Sequence, residues 1–329
     1  MKILFVSSGN SNSRISPIIK NQADSLEKQG IKIEHFLIKG KGITGYLKNI
    51  PFLKNKTKQN NYDLIHAHYV FAGILSFLSN IRIPLIVSYM GSDVYGVINK
   101  KGKTKIKSLF HPILANILPF FTKKIIIKSK NLKKYLLFKK KLIILPNGVD
   151  FEKFRPLNKE SCRKKLNLPI NKKIILFLGN PSDPRKNINL LKKAIKKTNQ
   201  KNILLITPYP FQNKDLIYYL NSVDLLAFTS FKEGSPNVIK EAMACNCPIV
   251  STNSGDIKQT IQNTEGCYMS PFNSNDFAKK IILALQFNKK TKGKKDIMHL
   301  ESTIIAKKII KIYSNIIKNQ QTNKIKKWK

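Results

Sequence analysis

Acidic residues are scarce in this chain: 18 Asp and Glu stand against 60 Lys and Arg over 329 residues, for a formal net charge of +42. Arginine is scarce as well. Only Arg14, Arg82, Arg155, Arg163 and Arg185 are present, which leaves 55 of the 60 basic residues as lysine. Arginine is the side chain that reads bases or clamps phosphate in a planar fork. The excess therefore fits nonspecific attraction to polyanions and argues against a specific nucleic-acid reader; it reads equally as compositional drift in a chain also rich in Asn and Ile. The four cysteines, with only Cys245 and Cys247 close together and no CxxC pair, build neither a disulfide framework nor a zinc site of recognised spacing. They are expected to be reduced and buried. Long apolar runs are missing too. Residues 3–6 fall short of the about 7–15 apolar positions of a secretory signal, and Ser76, Ser79, Asn80 and Arg82 break the run 69–87 below the roughly 18 that a spanning helix needs. The expectation is a soluble cytoplasmic chain without an export signal.

What is present is apolar residue in ordered runs. At 42% apolar and 9% aromatic the chain can bury a core, and its length suggests two domains. The run Ile3-Leu4-Phe5-Val6, a Ser/Gly/Asn loop and a helical pattern over about 16–30 open a doubly wound α/β domain. Strands follow at 32–38, 63–68 and 84–88, with a helix over 71–79, and then at 125–127 and 142–145. The turn cluster Pro146-Asn147-Gly148-Val149-Asp150 marks a boundary. A second series has strands at 173–179, 203–206, 223–228 and 248–251, and helices near 190–197, 237–245 and 275–285. Strands alternating with helices imply a parallel sheet in each domain. The tail 301–329 reads as an amphipathic helix with a basic end.

The most informative stretch is Glu233-Gly234-Ser235-Pro236-Asn237-Val238 running into Glu241. A strand enters, the chain turns, and a helix begins near Asn237, so backbone N–H groups gather at a positive helix end suited to phosphate. The two carboxylates flank that edge and suit sugar or ribose hydroxyls, although Glu241 by itself reads as an ordinary solvated helix residue. A second loop, Gly179-Asn180 through Arg185-Lys186-Asn187, follows a strand and brings two cations; Lys186 is a mobile ammonium that can neutralise a phosphate. In the first half, His66 and His68 share a strand face, but no third ligand stands at a defined spacing and no metal is expected.

These motifs resemble the donor-site signature of the glycosyltransferase family 4 enzymes, and the resemblance runs from the first strand to about Leu285. It implies two facing Rossmann-like domains, the glycosyltransferase B fold: 1–150 acceptor-binding, 151–170 a linker, 171–300 donor-binding, and 301–329 a helix that could cross back to the first domain. It implies that Glu241 binds the donor ribose, Glu233 contacts the transferred sugar, and the amides of 234–238 hold the donor diphosphate. The family has Gly-Arg where this chain has Gly179-Asn180; Lys186 matches the following lysine, and Arg185 is the candidate to replace the arginine. Where the family carries His-Gly-x-Asp, this chain has Met90, Gly91, Ser92 and Asp93, so His68 becomes a candidate for the missing imidazole. Gly9 is the corresponding point of close approach to phosphate or acceptor, in a loop without the family's Gly-Gly pair.

The expected activity, by that resemblance, is retaining transfer of a sugar from a nucleoside-diphosphate-sugar co-substrate to a hydroxyl of a glycan or lipid-linked glycan, in cell-surface polysaccharide synthesis and without a further cofactor. The rivals are a nucleotide-sugar epimerase of the same fold and a basic nucleic-acid-binding protein. The lysine-rich stretch 122–141 reads either as a strand and helix with solvated lysines or as a patch for an anionic membrane, which would place the chain at the inner face of the cell membrane.

Overall fold

The computed structural model describes residues 1–10, 13–80, 82–99 and 102–327, the side chains of 321 and 323–327 excepted. Ser11 and Asn12 of the first loop and the end of the basic tail, Trp328 and Lys329, lie outside the described residues.

The chain divides into two compact units. The first comprises Met1–Gly96, Ile106–Gly148 and Ser302–Lys329; the second comprises Val97–Lys105 and Val149–Glu301. In the first unit β1 (Lys2–Ser8), β2 (Lys32–Ile38), β3 (Leu64–His68), β4 (Leu85–Tyr89), β5 (Lys124–Ile127) and β6 (Leu142–Ile144) form one parallel sheet in the order β2-β1-β3-β4-β5-β6. In the second, β7 (Lys173–Leu176), β8 (Ile203–Ile206), β9 (Leu225–Phe228), β10 (Ile249–Thr252) and β11 (Cys267–Ser270) are parallel in the order β11-β10-β9-β7-β8. Helices cover both faces of such a sheet, so its inner strands read as near-continuous apolar runs. Ile3, Leu4, Phe5 and Val6 are accordingly all fully buried.

Each sheet reverses its strand order once, at β1 and β3 in the first unit and at β7 and β9 in the second. Loops leaving the carboxyl ends of the strands diverge at such a point and open a crevice. The helix Ile188–Lys197 and the helix Ser274–Phe287 close the second sheet over a shared core that includes Leu191, Ala194, Phe277 and Ile281. Asn273 caps the second of these, its side chain accepting from the amides of Asn275 and Asp276 at 2.7 and 3.3 Å.

Three stretches differ from the sequence-based expectations. Residues 128–141 hold 3-10 turns, Lys130–Tyr135 and Lys139–Lys141, where a helix was one of two readings; with no acid between Asp93 and Asp150, no Glu-to-Lys pair supports a helix there. Strand β11 was not anticipated, because Cys-Tyr-Met-Ser lacks the apolar run of its neighbours. Residues 151–170 carry the helix Lys159–Lys165, tied into the second unit by Arg163, whose Nη2 meets Asp224 at 2.8 Å and whose Nε donates to the Ser222 carbonyl at 2.8 Å. All four cysteines are free and buried. Among the described residues, no helix is long and apolar enough to cross a membrane.

Candidate active site

In the second unit the two loops at the strand-order reversal are stitched together. Thr229 donates to the Lys186 carbonyl at 2.7 Å, and the Phe231 amide donates to the Arg185 carbonyl at 3.0 Å. The loop after β7 begins at Gly179, whose φ of +134° is accessible to glycine and which lies against the Lys186 side chain. Asn180 makes the turn: its side chain accepts from the Ser182 amide at 2.9 Å and its carbonyl from the Asp183 amide at 3.0 Å. Asp183 then accepts from the Arg185 amide at 2.9 Å and grips the Arg185 guanidinium, the shortest contact being 2.7 Å. Burial raises the Asp183 carboxyl, but the hydrogen bonds and charge of Arg185 outweigh it and hold the group below the usual carboxylate range.

Lys186 reaches across to the other loop, where its Nζ meets Glu233 Oε1 at 2.7 Å. Both side chains are about one-fifth exposed, 21% and 17%. The residues singled out in the two loops, 47 positions apart in sequence, thus form one acid–cation pair at the reversal point.

Behind Glu233, Gly234, Ser235 and Pro236 are buried, and the helix Asn237–Ala244 starts with Pro236 at its N-cap. Pro236 has no N–H, so the turn can offer a diphosphate only the amides of Gly234, Ser235, Asn237 and Val238. The Ser235 hydroxyl faces inward. It donates to Asp256 at 2.5 Å and accepts from Lys240 Nζ at 2.6 Å, a network the sequence reading missed. Burial lowers the Lys240 ammonium and raises the Asp256 carboxyl, each opposed by the other's charge. Gly255 backs the turn at φ +62°, where a Cβ would stand 2.7 Å from the Gly234 carbonyl oxygen. The adjacent pair Gly255-Asp256 after a buried strand was the available signal.

Glu241 lies half-buried on the helix, just over one turn in. Burial pushes its carboxyl up to about 7, against the pull of Lys153 and Lys240. A further contact comes from 97–105, where Gly102 packs on the Phe231 ring and Phe231 stacks on Phe272 at 5.3 Å.

The remaining candidates belong to the first unit. The Gly9 amide donates to the Ile38 carbonyl at 2.8 Å, and a Cβ there would lie 2.9 Å from that of Leu37, so packing on β2 already requires glycine. Asp93 is fully buried and holds the loop after β4, accepting from the amides of Met90 at 3.0 Å and Gly91 at 2.8 Å; burial pushes its carboxyl up to about 6 against those bonds. Met90 is half-buried. His68 is 2% exposed, stacked on His66 at 4.4 Å, and neither of its ring nitrogens has a partner among the described residues. His66 is bonded on both sides, to Tyr313 at 2.5 Å and Ser88 at 2.8 Å. Burial holds both imidazoles well below the usual histidine range, and the Lys128 charge adds to it.

Two parallel sheets, each with one strand-order reversal, define a chain of the glycosyltransferase B fold. The structure is similar to sucrose-phosphate synthase from Thermosynechococcus elongatus, with a TM-score of 0.79 over 97% of this chain and 100% of that one at 16% identity. It is similar to Anabaena HepE in complex with UDP and glucose, with a TM-score of 0.69 over 96% and 100% at 17% identity. Residues 19–153 match the family described as Glycosyltransferase Family 4, and residues 201–286 match that described as Glycosyl transferases group 1. The chain belongs to glycosyltransferase family 4. Among curated relatives, it is 26% identical over 54% of its length to an N,N'-diacetylbacillosaminyl-diphospho-undecaprenol alpha-1,3-N-acetylgalactosaminyltransferase of Campylobacter jejuni, and 25% identical over 70% to a putative teichuronic acid biosynthesis glycosyltransferase of Bacillus subtilis. These matches span 55% and 63% of the relatives' own lengths.

Proposed function

We propose that the protein transfers a sugar from a nucleoside-diphosphate-sugar to a hydroxyl of a glycan or lipid-linked glycan, with retention of configuration, in cell-surface polysaccharide synthesis at the inner face of the cell membrane. The observation that carries this reading is the 2.7 Å pair of Lys186 with Glu233, set where the loops of β7 and β9 meet beside a helix N-terminus. The names of the Campylobacter and Bacillus relatives support the acceptor class.

In this reading Lys186, with three N–H groups and one on Glu233, stabilises the charge that develops on the leaving diphosphate. The amides of Gly234, Ser235, Asn237 and Val238 share that charge. Glu233 orients the transferred sugar while Glu241 accepts from the ribose hydroxyls. Arg185 reaches the diphosphate only by releasing Asp183. Asn180 acts as a turn former, and Gly179 lets the loop pass close to Lys186. Gly9, His68, Met90, Gly91 and Asp93 shape the acceptor side, Asp93 by holding its loop. Rate enhancement rests on positioning and charge stabilisation rather than on an enzymic nucleophile.

Product analysis tests the reading. Incubation of labelled nucleotide-sugars with bacterial envelope glycolipids is expected to yield free nucleoside diphosphate and label in the glycolipid fraction. A changed sugar still attached to its nucleotide would instead establish an epimerase.

A further inference from the structure

The longest acid-free span of the chain lies between Asp93 and Asp150, and it contains fourteen lysines. Within it the helix Phe110–Ile117 turns its apolar side the wrong way for a core. His111 and Ala115 are buried, while Phe110, Ile113 and Ile117, spaced three and four apart on one face, are 37%, 58% and 46% exposed. The apolar surface continues beyond the helix. Phe120 is 60% exposed and packs edge-on against Phe138 at 4.2 Å, and neighbouring Leu137 is 77% exposed. Asn116 fixes this second strip to the helix: its side chain accepts from the Leu137 amide at 2.8 Å and donates to the Tyr135 carbonyl at 3.1 Å.

Lysines surround the strip. Lys123, Lys133, Lys134, Lys139 and Lys140 are exposed, and Lys141 donates to the carbonyls of Pro119 and Thr122 at 2.7 and 3.0 Å. Burial holds the Lys141 ammonium below its usual range, with added repulsion from Lys123 and Lys124. A contiguous exposed apolar patch rimmed by charge of one sign marks an interaction surface whose partner offers both hydrocarbon and negative charge.

We infer that this face, the helix Phe110–Ile117 with Phe120, Leu137 and Phe138 and its lysine rim, docks on an anionic lipid bilayer. The aromatic and aliphatic side chains enter the headgroup boundary and the lysines face acidic headgroups. A second copy of this chain would bring like charge against like charge, at +42 per chain. The inference deepens the proposed function and rests on it for why a bilayer matters, since a lipid-linked acceptor lies there.

The test uses the full chain and co-sedimentation with vesicles of phosphatidylcholine, with and without phosphatidylglycerol. Binding is expected to the mixed vesicles, weaker to the neutral ones, and declining with salt. The double variant Ile113→Ser with Phe120→Ser should lose about tenfold or more in partitioning to mixed vesicles. Lys139→Ser with Lys140→Ser should also lose about tenfold there and nothing on neutral vesicles. Leu283→Ser, which removes an exposed apolar residue of the second unit, should change nothing. Stabilisation by nucleoside diphosphates, read in parallel, should persist in every variant, so failure of the donor site and failure of docking are seen separately. Undiminished vesicle binding by the Ile113→Ser, Phe120→Ser variant overturns the assignment, as does equal binding to neutral and anionic vesicles. Concentration-dependent dimers that this variant abolishes would give the face to a second copy.

Discussion

Glu241 is held in a setting that favours its neutral form, with a carboxyl pushed up to about 7 from 4.5. A raised folded-state pKa contributes stability that is present below the unfolded value and lost as pH rises through the folded one. Glu241→Gln, which cannot ionise, is therefore expected to be more stable than the parent by about 3 kcal/mol above pH 8, with the difference vanishing below about pH 4.5. Thermal melts across pH check this, and a constant difference would contradict the burial account. The same variant should bind nucleoside diphosphate more weakly, as a residue that trades stability for function does. Lys186→Ala should lower kcat about 10²–10³-fold with the fold intact, because it removes the cation at the developing charge; steady-state kinetics against circular dichroism reads both. The two acids and the lysine were visible in the sequence because loop, turn and helix start leave local marks. The network of Ser235, Lys240 and Asp256 was not, since Asp256 arrives from the loop after β10, 21 positions from Ser235.

Among the elements, the inner strands were legible because burial on both faces leaves a near-continuous apolar run, and the helix Ile188–Lys197 because its apolar residues recur at helical spacing. The helices Gly42–Leu47 and Ile50–Gln59 were not read: the first buries no residue and the second only Leu53, so neither shows a strong apolar period. Residues 151–170 read as polar connection because the anchoring of the helix Lys159–Lys165 is ionic. Arg163, 3% exposed, is one of only five arginines, and it answers the buried Asp224. Arg163→Ala should destabilise by about 1–3 kcal/mol in chemical denaturation, since Asp224 keeps Lys159 and the Ile174 amide while the Ser222 carbonyl loses its donor; a loss under about 0.5 kcal/mol would mean that the Lys159 pair holds the helix without Arg163. The C-terminal helix Ser302–Lys327 is pinned to the first sheet by the bond of Tyr313 to His66. Tyr313→Phe should cost about 1–3 kcal/mol by leaving a buried ring nitrogen unpaired.

For the whole molecule, the charge of +42 is spread over lysines and does not make a base-reading surface. Oligonucleotide binding is expected to fall steeply with salt and to show no sequence preference. The apolar strip of the helix Phe110–Ile117 escaped the sequence because an amphipathic period records two faces and not which one the protein covers.

The proposed function requires that the second unit hold a nucleoside diphosphate through Lys186, the turn after Glu233, and Glu241. Thermal stabilisation by UDP, GDP, ADP and CMP, beside an unrelated oligonucleotide, tests it most directly. One diphosphate at a hundredfold excess over its Kd is expected to add about 2.7 kcal/mol, and Glu241→Gln and Lys186→Ala should each diminish that gain relative to their own ligand-free melts. No response to any diphosphate, with strong stabilisation by the oligonucleotide, would contradict the account.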